Sequence, residues 1–387
     1  MRHVITWRSG VVTSLGRSWH GAQELQVEAD GQPLRALAYP ELVGSPVPGD
    51  RVLLNTTAQR RGLGTGGYAF VVALPDRLPP DPPDGPGHIV KSRYTPLQTM
   101  VLGADEQESP HHATLADADD LEQMPVVVAD LHSALPAIVA GARHGALQAG
   151  RSIPRVAYVM TDGAALPVWF SRTVAGLREA GWIQAAISVG QAFGGDYEAV
   201  TVHSGLLVAR HVLDADLVVL AQGPGNAGTG TRFGFSGVAV GEGLNAAVSL
   251  GGQAVAALRV SGADERARHF GISHHSLTAL RRVALRPVHI PIPDLAADAR
   301  STSPSQARRG TNLAAVAMRI SEQIPSLTDA GHHVHRIGTG GLTEALAQTP
   351  VPLSTMGRDL DADPASFLAA AAAGVFVTTL MGGDQGS

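Results

Sequence analysis

The sequence predicts an α/β protein: a small N-terminal β-barrel or sandwich, then a doubly wound, mainly parallel sheet. Three observations carry this. Residues 1–74 consist of short strand-like runs separated by turn residues. A proline-dense segment then interrupts the chain. From about residue 125, continuous apolar runs alternate with helix-length segments, as strands buried on both faces and joined by right-handed crossovers require.

The N-terminal runs are Val4–Trp7, Gly10–Val12, Leu25–Val27, Leu34–Tyr39, Val52–Leu54 and Tyr68–Val72. Six prolines between Pro75 and Pro86 predict a stiff linker over 75–87. The α/β domain is expected over 88–293, with a Rossmann-like alternation. Its strands are Val126–Ala129, Arg155–Met160, Ile183–Val189, Leu217–Leu220, Val255–Val260 and Val288–Ile292. Residues 294–310, polar and without apolar period, read as a mobile linker or loop. The remainder, 311–387, reads as a C-terminal segment packing on the α/β domain. It has a helix over Asn312–Ile324, a strand over His333–Ile337 and an Ala-rich helix opened by Asp363-Pro364.

Composition narrows the chemistry. The net charge of −5, without a Lys/Arg run, argues against a nucleic-acid partner. Cysteine is absent, which removes disulfides, thiolate metal sites and cysteine nucleophiles. Lys91 is the single lysine, so pyridoxal phosphate would have only one anchor, and the phosphate loop ending in Gly-Lys-Ser/Thr is missing. No secretory signal is read at Met1-Arg2-His3-Val4, and no apolar run reaches the roughly 20 residues of a membrane span. The cytoplasm is the expected compartment, with no membrane partner.

In open α/β sheets ligands bind where loops leave the C-terminal ends of the strands. The first five predicted strands there are each followed by polar chemistry: Asp130, His132 and Ser133; Thr161 and Asp162; Gly190 to Asp196; the loop Gln222 to Gly237; and His274-His275. Gly223, Gly225 and Gly228 match the dinucleotide spacing G-x-G-x-x-G. Pro224, the length of the loop and its place in the fourth βα unit speak against that use. Anion binding by Gln191, Asn226, Gly228, Thr229, Gly230 and Arg232 is the chemical alternative, since glycine amides and a helix N-terminus favour negative charge. A glycine loop that packs backbones or forms a homo-oligomer contact is the structural one.

Asp162 and His132 are the candidate acid and base, and Asp162 serves equally as a helix cap. Asp130, Asp196 and His274 are candidate ligands for a divalent ion, although no strict metal-binding spacing occurs among the 16 histidines. Asp196 too could be a cap. Neighbouring side chains such as those of His274 and His275 are expected to point in different directions.

Several segments together resemble an uncharacterised bacterial family, common in Gram-positive organisms and described only as a domain of unknown function. They are Asn55–Ala58, Leu63–Gly67, Asp130–Pro136, Thr161–Gly163, Gly190–Asp196, the 222–237 loop and Ser273–His275. The resemblance covers most of the chain and implies no activity or catalytic residue. From the residues alone, the expected function is an enzyme acting on a small anionic metabolite at the C-terminal edge of the sheet. A non-catalytic ligand-binding or regulatory protein and an oligomer-forming scaffold are the alternatives.

Overall fold

Five strands near the N-terminus close into a barrel in the order β1-β2-β3-β5-β4: β1 (Trp7–Trp19), β2 (Ala22–Ala29), β3 (Gln32–Ala38), β4 (Arg51–Asn55) and β5 (Ala69–Ala73). The computed structural model describes residues 4–64, 66–296 and 312–381. The strand predicted over Val4–Trp7 begins only at Trp7, and continues to Trp19 with register shifts that bend it around the barrel. Val12, Leu25, Val27, Val52, Leu54 and Val71 fill the interior, as alternation in a closed sheet requires. A second buried group, Leu37, Tyr39 and Tyr68, packs with Trp19 and Trp169. The chain divides into two compact units. The first is Met1–Leu102 with Trp169–Ala175, and the second is Gly103–Val168 with Gly176–Ser387. The first thus includes a short hairpin, β6 (Ile89–Lys91) with β7 (Thr99–Val101), on which Lys91 is buried.

The second unit is built on an eight-stranded sheet, parallel throughout: β8 (Pro125–Ala129), β9 (Val156–Thr161), β10 (Ala185–Ser188), β11 (Tyr197–Glu198), β12 (Leu217–Gln222), β13 (Gln253–Ala257), β16 (His289–Pro293) and β17 (His333–Ile337). The order is β11-β10-β9-β12-β8-β13-β16-β17. The sequence places His333–Ile337 in a strand, and the fold makes that strand the sheet's edge. Two short strands, β14 (Val260–Ser261) and β15 (Gly271–Ile272), pair with each other instead of extending β13. The linker read over 294–310 lies, from 297 on, outside the described residues.

Direction of winding decides where the helices go. The step from β8 to β9 runs toward one edge, through helix α1 (Leu135–Gln148). The step from β12 to β13 runs toward the other, through α4 (Ala239–Ser249). Right-handed crossovers of opposite sense place their helices on opposite faces. With α4 lie α3 (Val202–His211) and α5 (His274–Arg282), while α1 packs along the C-terminal helix α8 (Pro364–Leu380). Between them in the chain come α2 (Arg172–Glu179), α6 (Leu313–Gln323) and α7 (Leu342–Ala347). Among the described residues no helix is long and apolar enough to cross a membrane.

The α1–α8 pair approaches backbone to backbone. A Cβ on Gly141 would stand 2.0 Å from the Ala371 carbonyl oxygen, and one on Gly374 would stand 2.0 Å from that of Ile138. Gly141→Ala is therefore expected to destabilise the fold by about 1–3 kcal/mol, the usual cost of overpacking. A denaturant midpoint unchanged from the parent would contradict this packing.

Candidate functional site

Strands β8 and β12 are neighbours whose following helices lie on opposite faces, so a crevice opens between their C-terminal ends. Asp130 follows β8 and Gln222 ends β12. The Gln222 Nε2 donates to the Asp130 carbonyl oxygen at 2.8 Å, which fixes the amide orientation and turns Oε1 the other way. That oxygen is buried and has no hydrogen-bond partner among the described residues. Gly163 packs against it: a Cβ there would lie 2.7 Å from Oε1, so only glycine fits at this point without displacing the amide. Both line a cleft of about 290 Å³, with Asp130, Thr161, Asp162, His203, Ser236 and Glu242 supplying its other polar groups.

The Asp130 carboxylate is 3% exposed. Arg259 Nη1 donates to its Oδ2 at 3.3 Å and Asn226 Nδ2 to its Oδ1 at 3.0 Å. Nδ1 of His275 lies 3.2 Å from Oδ2 and also 3.1 Å from Arg259 Nη1. An imidazole nitrogen cannot donate and accept at once, so the tautomer decides which contact is a hydrogen bond. Burial raises the Asp130 carboxyl. The His275 hydrogen bond, the Arg259 and His275 charges and the Asn226 amide outweigh it and leave the group below its ordinary value.

His275 and His274 open α5, with the Ser273 hydroxyl accepting from the His275 amide as its N-cap. The β14–β15 pair returns the chain so that His269, 1% exposed, meets them. One ring nitrogen from each of His269, His274 and His275 lies within 4.8 Å of the others. His269 Nδ1 pairs with Ser273 Oγ at 2.7 Å, and Nε2 of His274 is buried without a partner among the described residues. Phe235 stacks on His275 with ring centroids 3.8 Å apart. Burial first, then the surrounding Arg and His charges, push His269 down to about 3 and His274 down to about 4. Both rings are neutral near pH 7 and can offer lone pairs.

The profile of the family described as Protein of unknown function (DUF3866) matches residues 35–374. That span contains every residue of the crevice and the triad. The chain belongs to the DUF3866 family. No curated protein matches it at a significant level.

In this DUF3866 chain the predicted site residues separate into groups. Asp130, Asn226 and His274 collect around the crevice and triad. Asp130 stands behind His275 instead of among the clustered ring nitrogens. His274 and His275 do not diverge, because the first turn of α5 lets both rings fold toward His269. Asp162 lines the cleft and accepts the Gln191 amide at 2.9 Å. His132 lies elsewhere: it is buried, paired with the Tyr158 hydroxyl at 2.9 Å and with the Gln222 backbone, and does not line the cleft. Asp196 accepts from the Ala186 amide near the start of β10 and pairs with Arg178, so it belongs to no ligand cluster among the described residues. It caps no helix either, since Tyr197–Glu198 is a strand.

The 222–237 loop folds back on itself. Gly228 bridges Phe235, and Thr229 donates its amide to Gly234 at 2.7 Å. Gly228, Thr229, Gly230 and Arg232 are exposed on it, and Arg232 has no ion pair or hydrogen bond among the described residues. Sequence reasoning did not single out Gln222, His203 and Glu242 as cleft residues, or Arg259 and His269 around Asp130. Ser273-His274-His275, a capping residue before two histidines, was the one local signal for the triad.

Burial pushes the His132 ring down to about 4 from 6.5, against the hydrogen bond to the Gln222 backbone. The unfolded chain therefore takes up this proton at higher pH than the folded one. The associated stability is complete above about pH 6.5 and is lost as pH falls through about 4. His132→Gln should reduce the slope of unfolding free energy against pH in this window by up to one proton, about 1.4 kcal/mol per pH unit. Urea titrations at pH 7, 6 and 5 measure it. Equal slopes in parent and variant would show that His132 is not held neutral.

Proposed function

We propose that this protein is an enzyme acting on a small anionic metabolite held in the cleft between the C-terminal ends of β8 and β12. The observation that carries small-ligand binding is the Gln222 Oε1. A buried acceptor without a partner among the described residues is costly, and Gln222 lines the cleft, where a small shift would let a ligand group donate to it. Asp162, His203 and Glu242 supply acid–base groups along the same cleft. No Lys or Arg lines it, so the proposal assigns the anionic end of the metabolite to Arg232. That guanidinium is uncommitted, and its loop contributes Ser236 and Gly237 to the lining.

A second reading is binding without turnover. It is favoured by the engagement of Asp130 and His132 with neighbours inside the protein, which ties both side chains to structural partners.

Equilibration of the purified chain with a pool of small metabolites, followed by ultrafiltration and mass spectrometry, tests the proposal. The parent should retain an anionic metabolite. Gln222→Leu, which removes the orphaned acceptor, and Gly163→Ala, which displaces its amide, should each retain at least ten-fold less. Arg232→Ala should lose the same species. Release of a chemically altered product on incubation separates enzyme from binder. Retention of nothing by the parent, or equal retention by Gln222→Leu, would defeat the assignment of the cleft.

A further inference from the structure

We propose that His269, His274 and His275 bind one divalent first-row metal ion of the zinc class, through one ring nitrogen each, with Asp130 orienting His275 from behind. The inference rests on the triad alone and does not depend on the cleft's ligand.

Geometry comes first. The three nitrogens already lie within 4.8 Å of one another. Zinc with Zn–N bonds of about 2.0–2.1 Å sets tetrahedral nitrogens about 3.4 Å apart, so small side-chain rotations complete the set. Two rings are tethered by their far sides. His269 Nδ1 is engaged by Ser273 Oγ at 2.7 Å, and His275 Nδ1 lies 3.2 Å from Asp130 Oδ2. The nitrogen left over on each is Nε2. His274 contributes the nitrogen that most needs a partner: its Nε2 is buried and finds none among the described residues.

The surroundings resemble a ligand shell more than an incidental aromatic cluster. A metal-bound imidazole ordinarily passes its other N–H to a carboxylate, which fixes the ring and strengthens the ligand. Metal on Nε2 of His275 would place the proton on Nδ1 and select the tautomer that donates to Asp130, resolving the competition with Arg259. Phe235, parallel to the His275 ring to within 4°, holds its plane. The start of the helix that carries His274 and His275 is tied to the Arg259 segment through the backbone, since Ser273 N–H donates to the Arg259 carbonyl at 2.8 Å. Imidazole without thiolate or clustered carboxylate selects zinc and its neighbours over magnesium or calcium. Three protein ligands leave a fourth position for water or another small ligand.

The test uses the full chain, stripped with chelator and dialysed. Titration with zinc should reach one equivalent per chain at micromolar or tighter affinity. Cobalt(II) in its place should give the visible d–d bands of a four- or five-coordinate site. His269→Ala and His274→Ala should each weaken binding at least 100-fold. Asp130→Asn should weaken it about 10–100-fold, as loss of an outer carboxylate does. His289→Ala, in a separate pair with His335 at 3.0 Å, should leave it unchanged. Far-UV circular dichroism of each stripped variant checks folding. If a variant fails to fold, the cobalt spectrum of the parent decides. No saturable equivalent, no cobalt bands in the parent, or undiminished binding in folded His269→Ala and His274→Ala would each overturn the proposal.

Discussion

A carboxylate buried at the end of a central strand is the constraint around which the second unit is arranged. Asp130 cannot remain ionised in a low-dielectric interior without compensation, because the cost of desolvating it exceeds what one neutral hydrogen bond returns. The chain compensates it from separate segments: Arg259 beyond β13, His275 on α5, and Asn226 in the glycine loop. The loops leaving β8, β12 and β13 are thereby drawn to one point. The Gln222 side chain adds a link from β12 to the backbone of Asp130 itself.

The same carboxylate accounts for part of the glycine loop. A Cβ on Gly237 would fall 1.6 Å from Asp130 Oδ1, so the backbone entering α4 can come this close only as glycine. Glycines ahead of a helix are commonly read as a cradle for a ligand's phosphate. Here the negative charge against that turn belongs to the protein. The more distal glycines serve a different purpose, closing the loop on itself through the Gly228–Phe235 bridge.

Asp130 also connects two chemically distinct places. On one side it lines the cleft with Gln222, Asp162 and Glu242. On the other it meets His275, and through it His269 and His274. The cationic neighbours here are matched by carboxylates, since Arg259 faces Asp130 and Arg266 faces Asp264.

Short runs between turn residues sufficed to place the barrel strands, and continuous apolar runs the main strands of the parallel sheet, because burial on one or both faces constrains which residues a strand can carry. The strand-end rule then led to Asp130, Asp162, Asn226 and His274, since in a parallel sheet all such loops emerge at one edge. Strand order is not written in those runs. It decided that β12 would lie between β8 and β9, and hence that Gln222 would reach Asp130 on one side and pack against Gly163 on the other. It also withdrew His132 to Tyr158 and Asp196 to Ala186, although both residues occupy the loops where the rule looks for function. The histidine triad depended on a two-residue antiparallel pair, β14 with β15, too short to leave any periodic trace. Sequence by itself determined which residues sit near the C-terminal edge. Only tertiary structure decided which of them meet, because contacts between loops depend on strand order and on the neutralisation of a buried charge by partners distant in the chain.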